Sequence, residues 1–140
     1  MLFRSGWVFM VEPELHLGPD VVVPDYAGWR RERLPVLPET PWISTPPDWI
    51  GEFISPSTET YDYGPKRMIY AREGVAHLWI ADPRVQKLEA FQLTAGKWLL
   101  LAALFGDDVV CLPPFDAITF SLGLLWPYDP PIDRTIPPKA

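Results

Sequence analysis

Two carboxylates of this sequence lie in apolar stretches, where an ionised side chain is unusual. Asp25 follows Pro24 at the end of an apolar segment, and Glu52 lies in the middle of the apolar run 49–54. Burying such a charge is costly unless the group is paired or binds a metal. Two carboxylates converging on one site would suit Mg²⁺ or Mn²⁺. Separate ion pairs with arginines at the edge of the core are the alternative, which this pattern leaves open.

A lysine follows the second carboxylate closely enough in the sequence to reach the same site. Lys66 falls in the first turn of the helix predicted after the run 49–54, so its side chain can point back over the strand end. Tyr70, four residues on, shares that helix face. In phosphodiester hydrolysis a metal activates water, and a nearby ammonium stabilises the charge that develops. The common alternative for a lysine on a helix is a solvated surface residue.

Ser55 and Ser57 stand between the strand and the helix. Neither lies in a G-x-S-x-G element or near a histidine, so the sequence gives no support to a serine hydrolase. We expect their hydroxyls to shape the turn through hydrogen bonds with the backbone beside the site. From the residues alone, Asp25, Glu52 and Lys66 are candidates for a site and Ser55 and Tyr70 for its support, with the alternatives above left open.

The charge balance restricts how this protein could bind nucleic acid. The net charge is −6 and the pI is about 4.8, which is the wrong sign for broad neutralisation of phosphates. Any DNA contact must therefore be local or metal-assisted. The one dense basic cluster, Arg30, Arg31 and Arg33, fits a solvated loop or a phosphate contact. The seven tryptophans are expected to fill the core rather than stack on bases.

Cysteine usage and hydropathy indicate the setting. The single cysteine, Cys111, lies in an apolar stretch, where we expect a small core residue. It cannot form an intrachain disulfide, which favours a reducing, cytoplasmic location. The longest apolar run, residues 98–105, is far shorter than the roughly 20 residues that a membrane-spanning helix needs. We therefore predict no membrane association.

The first half of the chain reads as strands separated by proline-rich segments. Residues 7–17 form a predicted strand whose halves are separated by Pro13, and residues 21–27 form a second that carries Asp25. The short turn at residues 18–20 predicts antiparallel pairing between them. Residues 29–47 form a long excursion, and the run 49–54 is a third, buried strand.

One helix and a meander follow. The helix is predicted over residues 62–73, with Asp62 as its N-cap and Gly74 as its C-terminal stop. Alternation of apolar and polar residues then predicts four strands, joined by turns. These strands cover residues 77–81, 87–93, 98–104 and 117–122. We expect one domain, residues 1–126, and a proline-rich tail, residues 127–140.

The spacing of these residues resembles the Uma family of "putative restriction endonucleases". The resemblance covers roughly residues 7–126. Its most specific part is Glu52-x-x-Ser-Pro-Ser-Thr58 followed by Asp62-x-x-x-Lys66-x-x-x-Tyr70. Pro24-Asp25, Gly74-Val75 and Trp79-Ile80-Ala81-Asp82 also match.

The resemblance implies a PD-(D/E)XK nuclease fold. Its expected features are an α/β (α+β) core like that of restriction endonucleases, a mixed, mostly antiparallel sheet with one main helix, and a homodimer. It also implies a Mg²⁺ or Mn²⁺ site at Asp25 and Glu52 and hydrolysis of DNA phosphodiester bonds. The superfamily pattern places a lysine two residues after the glutamate, where this chain has Ile54, so Lys66 would have to substitute.

A second departure concerns the N-terminus. Family members usually carry a helical region before the strand that corresponds to residues 7–17, and we expect that region to be missing here. The rival hypothesis is therefore a catalytically inactive, dimeric binding or scaffold protein that keeps the nuclease fold. A start codon further upstream would instead restore the missing helix and favour the enzyme.

Overall fold

The computed structural model describes residues 6–55 and 63–126. These residues contain one α-helix, ten strands and a short 3-10 helix, Leu122–Leu125. The elements are, in chain order, β1 (Trp7–Val11), β2 (Leu15–Leu17), β3 (Asp20–Val22), β4 (Tyr26–Arg30), β5 (Trp49–Phe53), α1 (Tyr63–Arg72), β6 (His77–Asp82), β7 (Lys87–Thr94), β8 (Lys97–Phe105), β9 (Val109–Val110) and β10 (Phe120–Ser121).

Six strands form the main sheet, in the order β1-β4-β5-β6-β7-β8. All neighbours in it are antiparallel except β5 and β6, which run parallel. Parallel neighbours need a crossover connection, and α1 lies in the one between β5 and β6. The prediction of a mixed, mostly antiparallel sheet with one main helix is confirmed.

Local turn chemistry fixes the ends of several elements. Gly74, at φ +76°, follows the end of α1 in the left-handed conformation that glycine adopts without strain. Ala95 and Gly96 both have positive φ and join β7 to β8 as a two-residue hairpin turn. The β6-β7-β8 meander therefore follows from short-range signals, as predicted.

Apolar side chains cover both faces of the sheet. On one face, a cluster that includes Trp29, Ile50, Leu78 and Tyr70 packs beneath α1 and the β2-β3 hairpin. On the other face, Trp79 and its neighbours pack against the segment from β9 to Trp126. Because side chains alternate along a strand, each central strand contributes to both layers.

Several predicted elements differ from the structure. Residues 7–17 form two strands rather than one, because the chain turns away at the buried Pro13 and only β1 joins the main sheet. Residues 21–27 are likewise divided between β3 and β4. The hairpin β2-β3 and the β1-β4 pair are nevertheless both antiparallel, as expected.

Three smaller corrections concern individual residues. Trp29, placed in a loop by the sequence, lies in β4 and is fully buried, because its indole Nε1 donates to the Thr45 carbonyl and its ring enters the core. Cys111, expected in the core, is exposed because it lies in the connection after β9. The strand predicted over residues 117–122 is reduced to β10, since a 3-10 helix begins at Leu122.

Two predictions cannot be compared with the structure, because the N-cap Asp62 and the tail 127–140 lie outside the described residues. No helix within the described ranges is long and apolar enough to cross a membrane.

Candidate active site

Asp25 occupies the short connection between β3 and β4, one residue before the strand rather than inside one. Its backbone is held on both sides. The Asp25 amide donates to Glu52 Oε1 at 2.9 Å, and the Asp25 carbonyl accepts from the Glu12 amide at 2.8 Å. The preceding Pro24 is fully buried and fixes the approach of the chain. The Asp25 carboxylate therefore projects from a backbone segment that is held in place by hydrogen bonds.

Glu52 is the fourth residue of β5, a central strand that pairs with β4 on one side and β6 on the other. It alternates with Gly51 and Phe53 and so shares the helix-covered face with Ile50. The Phe53 amide donates to Asp25 Oδ2 at 2.6 Å, while Glu52 accepts from the Asp25 amide. These crossed hydrogen bonds hold the two carboxylates beside each other.

Lys66 reaches the same place from the first turn of α1. Its Nζ donates to the Val23 carbonyl at 3.0 Å and lies 3.4 Å from Glu52 Oε2. The side chains of Lys66 and Glu52 are 19% and 16% exposed, so this ion pair is largely shielded from water. Ile54 packs against the apolar cluster beneath α1. The ammonium therefore comes from the helix, and the strand position contributes an apolar residue.

Burial dominates the electrostatics of Glu52. Desolvation raises the pKa of Glu52 above its ordinary value of 4.5, and the neighbouring charge of Asp25 raises it further. The charge of Lys66 and the hydrogen bond from the Asp25 amide act in the opposite direction without cancelling the effect. Such a raised pKa is typical of a carboxylate in a functional site, where a cation would favour the ionised form.

The two predicted supporting residues lie at different depths. Ser55 follows Ile54 beyond the end of β5 and is half-buried. Tyr70, one turn after Lys66, is 1% exposed and belongs to the core cluster beneath α1. Ser57 lies outside the described residues. The structure thus brings Asp25, Glu52 and Lys66 together, places Tyr70 in the core under the same helix, and places Ser55 beside the strand end.

The basic cluster lies at the opposite end of β5. Arg33 pairs with Asp48, which directly precedes β5, at 2.7 Å. Arg31 donates to the Trp7 carbonyl, and the Arg30 guanidinium lies 4.5 Å from the centre of the Trp7 ring. These contacts tie the arginines to the fold, and they do not approach the carboxylate pair.

The donor set available to a metal is small. Within residues 6–55 and 63–126, no three histidine, cysteine, aspartate or glutamate side chains group together. A metal at this position would therefore rely on Asp25 and Glu52, with backbone carbonyls or water completing its shell. Residue types alone do not indicate the backbone groups that organise the site, namely the Phe53 amide and the Val23 carbonyl. Backbone groups have no residue-type signature, so only the fold reveals them.

Comparison with known proteins agrees with the motif. A solved structure described as a putative nuclease belonging to DUF820, from Anabaena variabilis ATCC 29413, is similar to this chain with a TM-score of 0.69 and 18% identity. The match covers 85% of this chain and 67% of that one, and at this identity it shows a shared fold. No curated protein matches. The family model Uma2, described as "Putative restriction endonuclease", matches residues 2–123, so the chain belongs to that family.

Proposed function

We propose that this protein is a Mg²⁺- or Mn²⁺-dependent endonuclease of the PD-(D/E)XK superfamily that hydrolyses DNA phosphodiester bonds. One observation carries the proposal. Crossed hydrogen bonds hold Asp25 and Glu52 side by side at the end of β5, and Lys66 closes on Glu52 from α1. Two adjacent carboxylates and an ammonium are the groups that metal-assisted phosphodiester hydrolysis requires.

The carboxylate pair fits a hard divalent cation. Carboxylate oxygens are the ligands that Mg²⁺ and Mn²⁺ prefer. Asp25 Oδ1 accepts no hydrogen bond from the part of the chain that the structure describes, while Oδ2 is occupied by the Phe53 amide. Burial and the charge of Asp25 both raise the pKa of Glu52, and a cation would relieve both effects. When bound, such an ion polarises the phosphoryl group and lowers the pKa of a bound water.

The remaining groups have separate tasks. The Phe53 amide fixes the orientation of the Asp25 carboxylate, and the Asp25 amide fixes that of Glu52. The Val23 carbonyl holds the Lys66 ammonium, which would stabilise the negative charge that develops on the phosphoryl oxygens. Ser55 and Tyr70 support the strand end and the helix that carry these groups.

We further propose that the protein acts as a homodimer. The edge strand β8 is nine residues long and exposes about half of each of the apolar side chains Leu99 and Leu100. An exposed, apolar edge strand is a template for pairing with another chain. Two copies would supply one carboxylate pair for each DNA strand.

Nicking of supercoiled plasmid in Mg²⁺ or Mn²⁺ tests the proposed activity. Asp25→Asn and Glu52→Gln keep an oxygen acceptor for the backbone amides but lose the charge. We expect each to reduce nicking about 100-fold or more, in line with the loss of one electrostatic stabiliser.

Asp48→Asn is the matched control. The Asp48 side chain is 17% exposed, accepts from the Arg30 amide and pairs with Arg33, but it lies at the far end of β5. It should nick as the wild type does. Equal nicking by all variants would trace the activity to a contaminant and refute the proposal. A wild type that never nicks would favour the inactive, dimeric scaffold.

A further inference from the structure

An apolar cavity of about 470 Å³ lies on the sheet face opposite α1. It adjoins the carboxylate site, because Glu52 and Phe53 belong to its lining and the Phe53 amide holds Asp25. Its volume is within the range of about 300–1,000 Å³ that is typical of small-molecule sites. The cavity and the carboxylate pair therefore lie on opposite faces of the sheet at the same end of β5.

Aromatic rings form the part of the cavity nearest to the carboxylates. Tyr26, the residue after Asp25, is 39% exposed at the start of β4. Its ring centre lies 6.0 Å from that of Phe53, with the planes inclined by 66°. An aromatic pair, of which Tyr26 is exposed and Phe53 half-buried, thus lies beside the groups proposed to cleave a phosphodiester bond.

The depth of the cavity depends on a glycine. Gly51 pairs with Tyr26 in the register of β4 and β5, and the Trp49 ring lies across it. A Cβ at Gly51 would lie 2.7 Å from Trp49 Cη2, so the indole can lie flat on the strand only because the side chain is absent. The open side of the cavity is bordered by Ile118, which is 59% exposed.

The charge of the chain indicates what this surface could bind. A net charge of −6 weakens any binding that depends on neutralising phosphates. Stacking of bases on aromatic rings does not depend on that charge and is tolerant of sequence. A base inside a continuous duplex has its faces covered by its neighbours, whereas an unpaired base exposes both of them.

We propose that the cavity binds an unstacked nucleobase of the substrate, with Tyr26 as the stacking ring and Phe53 packed edge-on against it. The nuclease proposed above would then act on single-stranded or locally opened nucleic acid in preference to continuous duplex. This inference rests on the proposed function, since the base is placed by its continuity with the Asp25 and Glu52 site. A second copy of this chain is the alternative occupant, and the test separates the two.

Binding is measured without cleavage, by fluorescence anisotropy in EDTA. The probes are a labelled single-stranded oligothymidylate and a labelled duplex of equal length. We expect the single strand to bind about tenfold or more tightly than the duplex. Tyr26→Ala should weaken single-strand binding about 5- to 150-fold, the range that corresponds to the loss of one base-stacking contact. Tyr26→Phe keeps the ring and should bind as the wild type does.

Phe105→Ala is the control for removal of an exposed ring. Phe105 is 52% exposed at the end of β8 and does not line the cavity, so its loss should leave binding unchanged. Duplex binding equal to single-strand binding, or no effect of Tyr26→Ala, would overturn the inference. A change of oligomeric state in Tyr26→Ala with unchanged binding would assign the cavity to a second copy.

The failure of this inference differs from the failure of the proposed function. Asp25→Asn should abolish nicking while single-strand binding persists. Loss of the preference for single strands with nicking intact would refute only the base-binding cavity.

Discussion

Replacing Glu52 with glutamine is expected to stabilise the metal-free protein while removing its capacity to bind metal. The substitution keeps the shape of the side chain and one oxygen, which can still accept from the Asp25 amide. It removes a charge from a side chain that is only 16% exposed. Active-site carboxylates often lower stability in this way, because function requires a charge that folding disfavours.

The size of the effect follows from opposing contributions at Glu52. The attraction between the Lys66 ammonium and Glu52 Oε2 at 3.4 Å is about 5 kcal/mol before desolvation, at an effective dielectric constant of about 20. The raised pKa of Glu52 means that burial and the repulsion by Asp25 exceed this attraction together with the hydrogen bonds. Glutamine should therefore add about 0.5–2 kcal/mol to the free energy of unfolding, which is a rise of roughly 1–8 °C in Tm.

The advantage of glutamine should depend on pH in a defined direction. Between 4.5 and the raised pKa of Glu52, the folded protein binds more protons than the unfolded chain, so wild-type stability falls as pH rises through this window. Below that window Glu52 is protonated in both states. The difference between Glu52→Gln and the wild type should be largest at neutral pH and should disappear in acid.

Urea unfolding of both proteins, in EDTA, at about pH 7.5 and about pH 4, measures the free energies. Saturating Mn²⁺ should then reverse the order at neutral pH, because only the wild type gains binding energy. A glutamine variant that is less stable than the wild type at neutral pH would refute the electrostatic account. An advantage that does not change with pH would refute it as well.

Three further substitutions test separate parts of the account. Lys66→Met should reduce nicking about 10²- to 10³-fold while calorimetric Mn²⁺ binding persists, because the ammonium assists the reaction without being a ligand. Gly51→Ala should destabilise the fold by about 1–3 kcal/mol in urea, since the new Cβ meets the Trp49 ring. Arg84→Met should lower the free energy of unfolding by about 1–3 kcal/mol at neutral pH. The reason is that the hydrogen bonds donated by Arg84 lower the pKa of Asp82 below 3.8. The difference in stability between wild type and variant should vanish as pH falls through that lowered pKa.

A specific result would contradict each of these three predictions. Loss of Mn²⁺ binding in Lys66→Met would assign the lysine a structural role. Gly64→Ala, where an added Cβ meets nothing within 4 Å, is the control for Gly51→Ala, and equal stability of the two variants would contradict the crowding at Trp49. A pKa of Asp82 that does not move in Arg84→Met, followed by NMR titration, would contradict the ion-pair explanation.

Residue type and context suggest the candidate site residues, and the resemblance to the Uma family selects them. Asp25 and Glu52 are charges in apolar segments, and Lys66 lies in a helix that begins just after the Glu52 strand, but each of these features also has a purely structural explanation. The structure adds the crossed hydrogen bonds, which depend on the Phe53 and Asp25 amides, and the contact of Lys66 with the Val23 carbonyl. Nearly every residue type offers such backbone groups, so the sequence contains no signal for them.

The fold was predictable where its signals are local. Strands β6, β7 and β8 are apolar segments joined by turn residues, and their predicted bounds lie within one residue of the structure. The N-terminal strands were less predictable, because whether the chain continues past Pro13 depends on β4, a partner distant in sequence. Strand β9 has two residues and no periodicity to detect.

The most direct test of the central claim is a calorimetric titration of Mn²⁺ into the wild type, Asp25→Asn, Glu52→Gln and the control Asp48→Asn. We expect Mn²⁺ to bind saturably to the wild type and the control and not to bind to the two site variants. Plasmid nicking should be seen only in the proteins that bind Mn²⁺. Binding that survives both site substitutions would contradict the central claim, because the metal would then lie elsewhere.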